Sequence, residues 1–137
     1  AKEFDKEVMA ERRLTGDEYT VAILDGKALP AIRISTDSEF YDFNAKYHSN
    51  QTRYHCPSGL SKNRECELLD LCMEAFNSLD CRGWGRVDVM TDENGAFYLL
   101  EVNTVPGMTS HSLVPKAANS ADISFDQLVL KIIEASL

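Results

Sequence analysis

The sequence comprises 137 residues, 44% hydrophobic and 26% charged, and its 14 basic and 22 acidic residues give a net charge of −8. This length predicts one domain of ordinary globular composition, and the acidic balance argues against a nucleic-acid partner bound through a broad basic surface. No apolar run approaches the roughly 20 residues of a membrane span. No secretory signal is visible either, so we predict a cytoplasmic protein without a membrane partner.

The first third of the chain is rich in strand-forming residues. Residues 8–14 and 19–35 are predicted to be strands, because β-branched and aromatic side chains favour the pleated conformation. The Asp25-Gly26 step within the second range is a turn signal and predicts a hairpin. Residues 36–61 lack regular patterning, and loops of this length are usually functional when they are ordered. We therefore predict a functional loop over this range.

The rest of the chain alternates between helical and strand patterns. Apolar residues at helical spacing predict an amphipathic helix over 62–79, with Ser61 as its N-cap. The remaining predicted elements are strands at 82–91 and 97–103 and helices at 111–119 and 124–136. Strands and helices in this mixed order indicate an α+β fold, with a mixed or antiparallel sheet packed against helices. The four cysteines show no C-x-x-C spacing, so we expect free thiols.

The hairpin predicted over 82–103 carries the most informative polar residues. If Asn94-Gly95 forms a two-residue turn, the register places Asp88 opposite Glu101 and Arg86 opposite Asn103. Because side chains alternate along a strand, all four would then lie on one face of the hairpin. A longer turn would shift this register and make the direct acidic pair a diagonal one.

Two carboxylates in direct opposition are destabilising unless a positive charge compensates for them. Arg86 supplies one such charge, and Asn103 adds a neutral oxygen donor. Two carboxylates and an amide oxygen suit Mg²⁺ that retains some waters and takes its other ligands from phosphate. The alternative is a solvent-facing polar stripe in which Arg86 merely bridges the acids. The spacing alone does not decide between these two interpretations.

The segment after the hairpin has the pattern of an anion site. Pro106-Gly107 predicts a turn, and Thr109 or Ser110 is a candidate cap for the helix that follows. A helix N-terminus with free N–H groups attracts anions. A cation site that leads directly into an anion site indicates a charged substrate beside a metal-bound phosphate. The alternative is that these hydroxyl residues only cap the helix.

Several blocks of the sequence, in order, resemble the C-terminal part of the D-alanine–D-alanine ligase family of ATP-grasp enzymes. The main blocks are GWGRVDVM at 83–90 and FYLLEVNTVPGMTSHSLVP at 97–115. Two shorter blocks, EYTVAIL at 18–24 and YDFNAKY at 41–47, extend the similarity over nearly the whole chain. The resemblance implies an ATP-grasp C-terminal subdomain. It also implies an enzyme that phosphorylates one D-alanine and joins it to a second for peptidoglycan synthesis.

The resemblance also implies roles for individual residues in that reaction. Asp88, Glu101 and Asn103 would hold two Mg²⁺ ions, or Mn²⁺, on the ATP phosphates. Arg86 would stabilise the oxyanion, and Gly107 would present its N–H near the reacting centre.

The other implied roles concern the nucleotide, the acceptor and the closure of the site. In the family pattern, Lys46 would contact the transferred phosphate and Tyr47 would help close the site; Ser112 and Leu113 would bind the second D-alanine; and Glu11 and Leu14 would bind adenine, with Glu18 on the ribose. Because Lys46-Tyr47 follows the D-alanine pattern, a ligase that makes D-alanyl-D-lactate is less expected.

The family also has an N-terminal and a central domain that nothing in residues 1–137 matches. We therefore expect this chain to be the C-terminal portion of a longer ligase, inactive alone and homodimeric when intact. Two other hypotheses remain: a non-catalytic Mg²⁺- or nucleotide-binding module, and an ATP-grasp ligase for another carboxylate and amine.

Overall fold

A six-stranded antiparallel sheet forms the centre of the computed structural model, which describes residues 6–36 and 52–136, with Thr36 described by its backbone alone. The strands are β1 (Glu18–Leu24), β2 (Lys27–Ala28), β3 (Ile32–Thr36), β4 (Thr52–His55), β5 (Trp84–Thr91) and β6 (Phe97–Asn103). The helices of the described ranges are α1 (Lys62–Ser78), α2 (Leu113–Ser120) and α3 (Phe125–Ser136). Along the sheet the order is β4-β3-β1-β5-β6, with β2 also paired to β1. The predicted α+β class is confirmed.

Strand β1 organises the sheet because it is hydrogen-bonded to a neighbour on each side. It pairs with β5 along its whole length, from Glu18 opposite Met90 to Leu24 opposite Trp84. Six of its seven residues are buried, which fits the run of apolar residues from Tyr19 to Leu24 in which Thr20 is the one polar side chain. Because the strand is buried on both faces, it places the polar side chain of Thr20 in the interior.

The predicted turn at Asp25-Gly26 is confirmed. Asp25 and Gly26 have φ angles of 49° and 69°, the left-handed values that a two-residue hairpin turn between β1 and β2 requires. The strand predicted over 19–35 is interrupted, however, and Pro30 lies in the break between β2 and β3. Proline has no N–H to donate to the sheet, so it favours such an interruption.

The strand predicted over 8–14 is wrong, because the structure assigns no strand there. Val8 and Met9 are exposed, and no neighbouring strand of the described ranges pairs with this segment. The chain instead joins the sheet at Gly16, whose N–H donates to the carbonyl of Thr91 at 3.0 Å. A side chain at this glycine would lie 2.6 Å from the same carbonyl oxygen, so the close approach requires glycine.

The segment predicted to be irregular over 36–61 contains strand β4, which pairs antiparallel with β3. The four residues of β4 are too short a run to be recognised from periodicity, and their partner strand defines them. The predicted helix over 62–79 is confirmed, and Ser61 caps it by accepting from the N–H of Arg64 at 3.4 Å. Lys46 and Tyr47 lie outside the described residues.

Each face of the sheet carries its own hydrophobic cluster. On one face, Leu68, Cys72 and Phe76 of α1 pack against the buried valines Val87 and Val89 of β5. Burial, with a smaller contribution from the charge of Asp88, raises the pKa of the Cys72 thiol to about 12, so this thiol stays protonated and acts as an apolar side chain. All four cysteines lie in the described part of the chain and are free, as expected.

On the opposite face, helices α2 and α3 cover only part of the sheet. Val114, Ala117 and Leu128 pack against Ala22 and Ile32, which closes the second cluster. Beyond this cluster the same face continues onto the polar residues of β5 and β6. None of the helices in the described ranges combines the length and apolarity that crossing a bilayer requires.

Candidate functional site

A cleft of about 400 Å³ opens where the second face of the sheet emerges from beneath α2. Its lining includes nine of the residues singled out from the sequence: Glu18, Arg86, Asp88, Glu101, Asn103, Gly107, Thr109, Ser112 and Leu113. The hairpin residues form the floor, and the loop after β6 with the start of α2 forms one wall. The polar residues of the predicted hairpin and those of the loop before α2 therefore line one cleft, although they are distant in sequence.

The floor depends on a change of register within the β5–β6 hairpin. Near the turn, Thr91 pairs with Phe97 and Val89 pairs with Leu99. Between Asp88 and Val89 the register shifts by one residue, which leaves Leu100 as the extra residue of a β-bulge. From that point Asp88 lies opposite Glu101, as predicted.

The bulge decides which face the polar residues of β6 occupy. Without it, Leu100 would lie opposite Asp88, and Glu101 would turn toward the face covered by α1. With it, Glu101 and Asn103 share the cleft face with Asp88 and Arg86, and Arg86 lies opposite Asn103. The predicted pairs are confirmed, although the two-residue turn from which they were derived is wrong.

The turn itself is longer than predicted. Asp92 pairs with Ala96 through a 3.0 Å backbone hydrogen bond, so the loop has three residues, Glu93–Gly95, and Gly95 takes the left-handed φ of 80°. The Oδ1 atom of Asp92 accepts from the N–H groups of Asn94 and Ala96, each at 2.9 Å. These backbone donors, Ala96 foremost, hold the pKa of the Asp92 carboxyl below its ordinary value.

Asp88 is the most enclosed carboxylate of the cleft, with 8% of its surface exposed. Arg86 meets it with two parallel hydrogen bonds, from Nε to Oδ1 at 2.8 Å and from Nη2 to Oδ2 at 2.7 Å. The hydroxyl of Thr20 donates to the same Oδ1 at 2.6 Å. Forked guanidinium–carboxylate pairs are among the strongest charge-assisted hydrogen bonds, so the plane of this carboxylate is fixed.

Glu101 and Asn103 are more accessible than Asp88. The side chain of Glu101 is 57% exposed, and its Oε1 lies 3.8 Å from Nη2 of Arg86. The amide oxygen of Asn103 accepts from the N–H of Val105 at 3.1 Å, which starts the loop toward α2. Arg86 thus lies between two carboxylates and balances part of their charge.

These donors fit a hard divalent cation. The described residues contain no group of three or more His, Cys, Asp and Glu side chains able to hold a metal. The two acids and one amide on the floor therefore form an incomplete oxygen shell. Mg²⁺ characteristically takes one or two carboxylates from the protein and completes its shell with water and phosphate oxygens. The donors on the floor therefore suit Mg²⁺ better than a metal ion that takes all its ligands from the protein.

The wall of the cleft is the N-terminus of α2. Ser112 is the N-cap residue, in place of the predicted Thr109 or Ser110, but its hydroxyl does not cap the helix. Instead the Ser112 Oγ accepts from the N–H of Thr109 at 3.0 Å and lies 2.9 Å from the Thr109 hydroxyl. The first turn of α2 contains no acidic side chain, so its positive end faces the cleft without an internal counter-charge.

Gly107 packs against this wall. A Cβ atom at Gly107 would lie 3.1 Å from the Oγ of Ser112, which is tighter than an ordinary contact. The absence of a side chain therefore lets the loop approach Ser112 and leaves the backbone of Gly107 at the cleft. His111 also lines the cleft and lies in the turn that the N–H of Ser112 closes by donating to the carbonyl of Thr109.

Glu11 and Leu14 do not line the cleft. They belong to the N-terminal segment beside the β5–β6 turn, where Arg12 donates to the Tyr98 hydroxyl at 3.0 Å and approaches Asp92 within 3.8 Å. Two residues that the sequence did not single out contribute to the site: Tyr54 lines the cleft, and the buried Thr20 lies behind Asp88 and donates to it. The sequence does place Thr20 on the same strand face as Glu18, because the two residues are two positions apart. Its partner Asp88, however, becomes apparent only from the pairing of β1 with β5.

The chain as a whole matches a known family. Residues 1–134 match the family described as the D-ala D-ala ligase C-terminus. The D-alanine–D-alanine ligase of Saccharophagus degradans is 56% identical over 137 residues, which is all of this chain and 44% of that protein. The corresponding enzyme of Nitrosococcus oceani is 58% identical over 134 residues, 98% of this chain and 42% of that protein. The chain thus spans less than half the length of these curated relatives.

Solved structures show the same similarity. The D-alanine–D-alanine ligase from Bacillus anthracis complexed with ATP matches with a TM-score of 0.77 and 39% identity, covering 92% of this chain and 41% of that one. The VanG D-Ala:D-Ser ligase from Enterococcus faecalis matches with a TM-score of 0.77 and 27% identity, covering 91% of this chain and 37% of that one.

Proposed function

The chain belongs to the D-ala D-ala ligase C-terminal family, and from this premise we propose that it provides the metal- and ATP-binding side of a D-alanine–D-alanine ligase. In the proposed reaction the γ-phosphoryl group of ATP passes to the carboxylate of the first D-alanine, which gives an acyl phosphate and ADP. The amine of the second D-alanine then attacks the acyl carbon. Phosphate leaves, and the peptide bond of a cell-wall precursor remains.

One observation carries this proposal: the acidic pair Asp88 and Glu101 faces the N-terminus of α2 across a single cleft. A site of oxygen donors beside free helix N–H groups suits a substrate whose phosphates need a cation and whose carboxylate needs N–H donors. Family membership narrows these general requirements to one kind of reaction.

Asp88, Glu101 and Asn103 are the residues that would hold the cations, two Mg²⁺ or Mn²⁺ ions in the family pattern. Bound there, the ions would neutralise charge on the ATP phosphates during phosphoryl transfer. Asp88 is held ready by its hydrogen bonds, whereas the exposed Glu101 is free to adjust its side chain to a ligand. Asp88 would therefore fix the position of the cation, and Glu101 would adjust to it.

Arg86 would stabilise negative charge on the reacting carbonyl oxygen. Its Nε and Nη2 atoms hold Asp88, which fixes the guanidinium plane at the cleft floor. Arg86 also lines the cleft, so its fixed positive charge lies beside the space that a substrate oxygen would occupy. Preorganised donors of this kind act most strongly on charge that develops in the transition state.

Ser112 and the backbone of Leu113 would bind the carboxylate of the second D-alanine. Both line the cleft at the N-terminus of α2, where backbone N–H groups lack internal partners. Gly107 would add its N–H beside the reacting centre. An acceptor held by its carboxylate at this wall would direct its amine toward the floor.

The remaining family roles concern the nucleotide and closure of the site. Glu18 lines the cleft and would bind the ribose, whereas Glu11 and Leu14 in the neighbouring segment would contact adenine. Lys46 would contact the transferred phosphate, and Tyr47 would help close the site. We further include in the proposal that the chain acts as the C-terminal part of a longer cytoplasmic enzyme, homodimeric when intact, without nucleic-acid or membrane partners.

The test uses the protein expressed from its complete reading frame. With ATP, Mg²⁺ and D-alanine, we expect ADP, phosphate and D-alanyl-D-alanine in equal amounts. A panel of D-alanine, D-serine and D-lactate as acceptors addresses substrate choice, and we expect D-alanine to be preferred. Nucleotide binding without product from any acceptor would contradict the proposal and favour a non-catalytic module.

A further inference from the structure

A buried hydroxyl on β1 contacts the least exposed carboxylate of the cleft. Thr20 is 1% exposed, and its Oγ1 donates to the Oδ1 of Asp88 at 2.6 Å. The contact follows from the register, because Thr20 and Asp88 are directly opposed on β1 and β5. Among the described residues, the other contact of the Thr20 hydroxyl is a long one of 3.5 Å to the carbonyl of Val87.

The hydrogen bonds to Asp88 are unequally divided between its two oxygens. Oδ1 accepts from the Thr20 hydroxyl and from Nε of Arg86, whereas Oδ2 accepts from Nη2 of Arg86. A carboxylate oxygen has two in-plane lone pairs, so two donors saturate Oδ1 and one donor leaves capacity at Oδ2. Oδ2 is also on the side of Glu101, because the Nη2 atom of Arg86 that donates to Oδ2 lies 3.8 Å from Oε1 of Glu101.

We infer that Thr20 is a positioning residue of the cation site. By occupying Oδ1, it makes Asp88 present Oδ2 to the cation, in an orientation that leaves one lone pair for coordination. Partners behind a metal ligand commonly fix its orientation, and their removal costs about 10–100-fold in metal affinity. This inference rests on the proposed function, because it takes Asp88 as a metal ligand.

The test compares Thr20→Val with Thr20→Ser in the protein expressed from its complete reading frame. Valine keeps the shape of threonine without the hydroxyl, whereas serine keeps the hydroxyl and loses a methyl group. The probe is Mn²⁺ titrated in the presence of ADP, with unbound Mn²⁺ measured by electron paramagnetic resonance. Thermal unfolding of both variants reports structural damage separately.

We expect Thr20→Val to raise the Mn²⁺ dissociation constant by about 10–100-fold, and Thr20→Ser to stay close to wild type. Wild-type Mn²⁺ affinity in Thr20→Val, even with lowered thermal stability, would overturn the inference and leave Thr20 a purely structural residue. If Thr20→Val does not fold, Thr20→Ala and Thr20→Ser give the same comparison. Failure of the wild-type protein to bind Mn²⁺ with ADP would overturn the proposed function itself.

Discussion

Asp88 and Glu101 lie directly opposite each other on β5 and β6, and the bulge that accommodates the extra residue Leu100 keeps them there. Two like charges at such a position repel, yet the bulge brings them together on the cleft face. Arg86 offsets part of the repulsion with its fork on Asp88 and its approach to Glu101. The hairpin therefore tolerates a local electrostatic cost that a bound cation would remove.

Deletion of Leu100 should convert the bulged hairpin into a regular one without moving the polar residues. Leu100 is the residue that the bulge leaves unpaired, so Leu99 would stay opposite Val89 and Glu101 would stay opposite Asp88. We expect ATP-dependent dipeptide formation to stay within about tenfold of wild type, since the proposed ligands keep the cleft face and loss of even a supporting contact costs about 10–100-fold. Leu100→Ala keeps the chain length and is the matched control. A loss of more than about 100-fold in the deletion variant alone would show that the bulge does more than set the register.

Replacement of Arg86 by alanine should make the stability of the protein depend on Mg²⁺. Arg86 and Asp88 are largely buried, with 16% and 11% of their side chains exposed. Loss of one partner from such a pair costs about 3 kcal/mol, toward the low end for buried pairs because solvent reaches the cleft. Added Mg²⁺ should restore part of this loss by pairing with Asp88. The measurement is the thermal midpoint of Arg86→Ala and wild type, each with and without Mg²⁺.

An equal effect of Mg²⁺ on the thermal midpoints of Arg86→Ala and wild type would contradict this prediction. It would mean that Arg86 and the cation do not compensate for the charge of the same carboxylate. Activity adds a second comparison, because a residue that stabilises the transition state should lower kcat more than it raises the KM for ATP.

Asp92 should contribute stability that disappears at acid pH. Hydrogen bonds from the backbone of Ala96 and Asn94 lower the pKa of its carboxyl in the folded state. Between that lowered pKa and the ordinary value of about 4, the unfolded chain binds more protons than the folded one. The contribution is therefore complete above the ordinary pKa and is lost as the pH falls through the folded pKa.

Urea unfolding of wild type and Asp92→Asn checks this dependence, because asparagine keeps the Oδ1 acceptor of the turn without its charge. We expect the stability difference between them to be largest at neutral pH and to shrink as the pH falls below about 4. A difference that stays constant from pH 7 to pH 3 would mean that the turn does not stabilise the ionised carboxylate.

Much of the site could be predicted from the sequence because alternation along strands assigns faces without knowledge of the tertiary structure. The pairing of Asp88 with Glu101 was predicted correctly from a turn that was one residue too short. The longer turn and the bulge at Leu100 shift the register in opposite directions, so the two departures cancel at Asp88. A bulge has no clear sequence signal, since it depends on how both strands pack.

Other features depended on partners that a linear pattern does not reveal. Residues 52–55 form strand β4 because they pair with the edge of β3. The segment at 8–14 is not a strand because it pairs with no strand of the described sheet. Thr20 looks like any strand-forming threonine until β1 and β5 are paired. The N-cap at Ser112 was missed because several hydroxyl residues precede α2, and only the backbone conformation distinguishes among them.

The central claim is that Glu101 takes part in holding the cation of the nucleotide site, and the Mg²⁺ dependence of ADP formation by Glu101→Gln tests it most directly. Glutamine keeps the size and one oxygen of glutamate but removes the charge. In the protein expressed from its complete reading frame, we expect half-maximal activation to need at least about tenfold more Mg²⁺, consistent with loss of a charged ligand. An unchanged Mg²⁺ activation curve would remove Glu101 from the metal site and contradict the account.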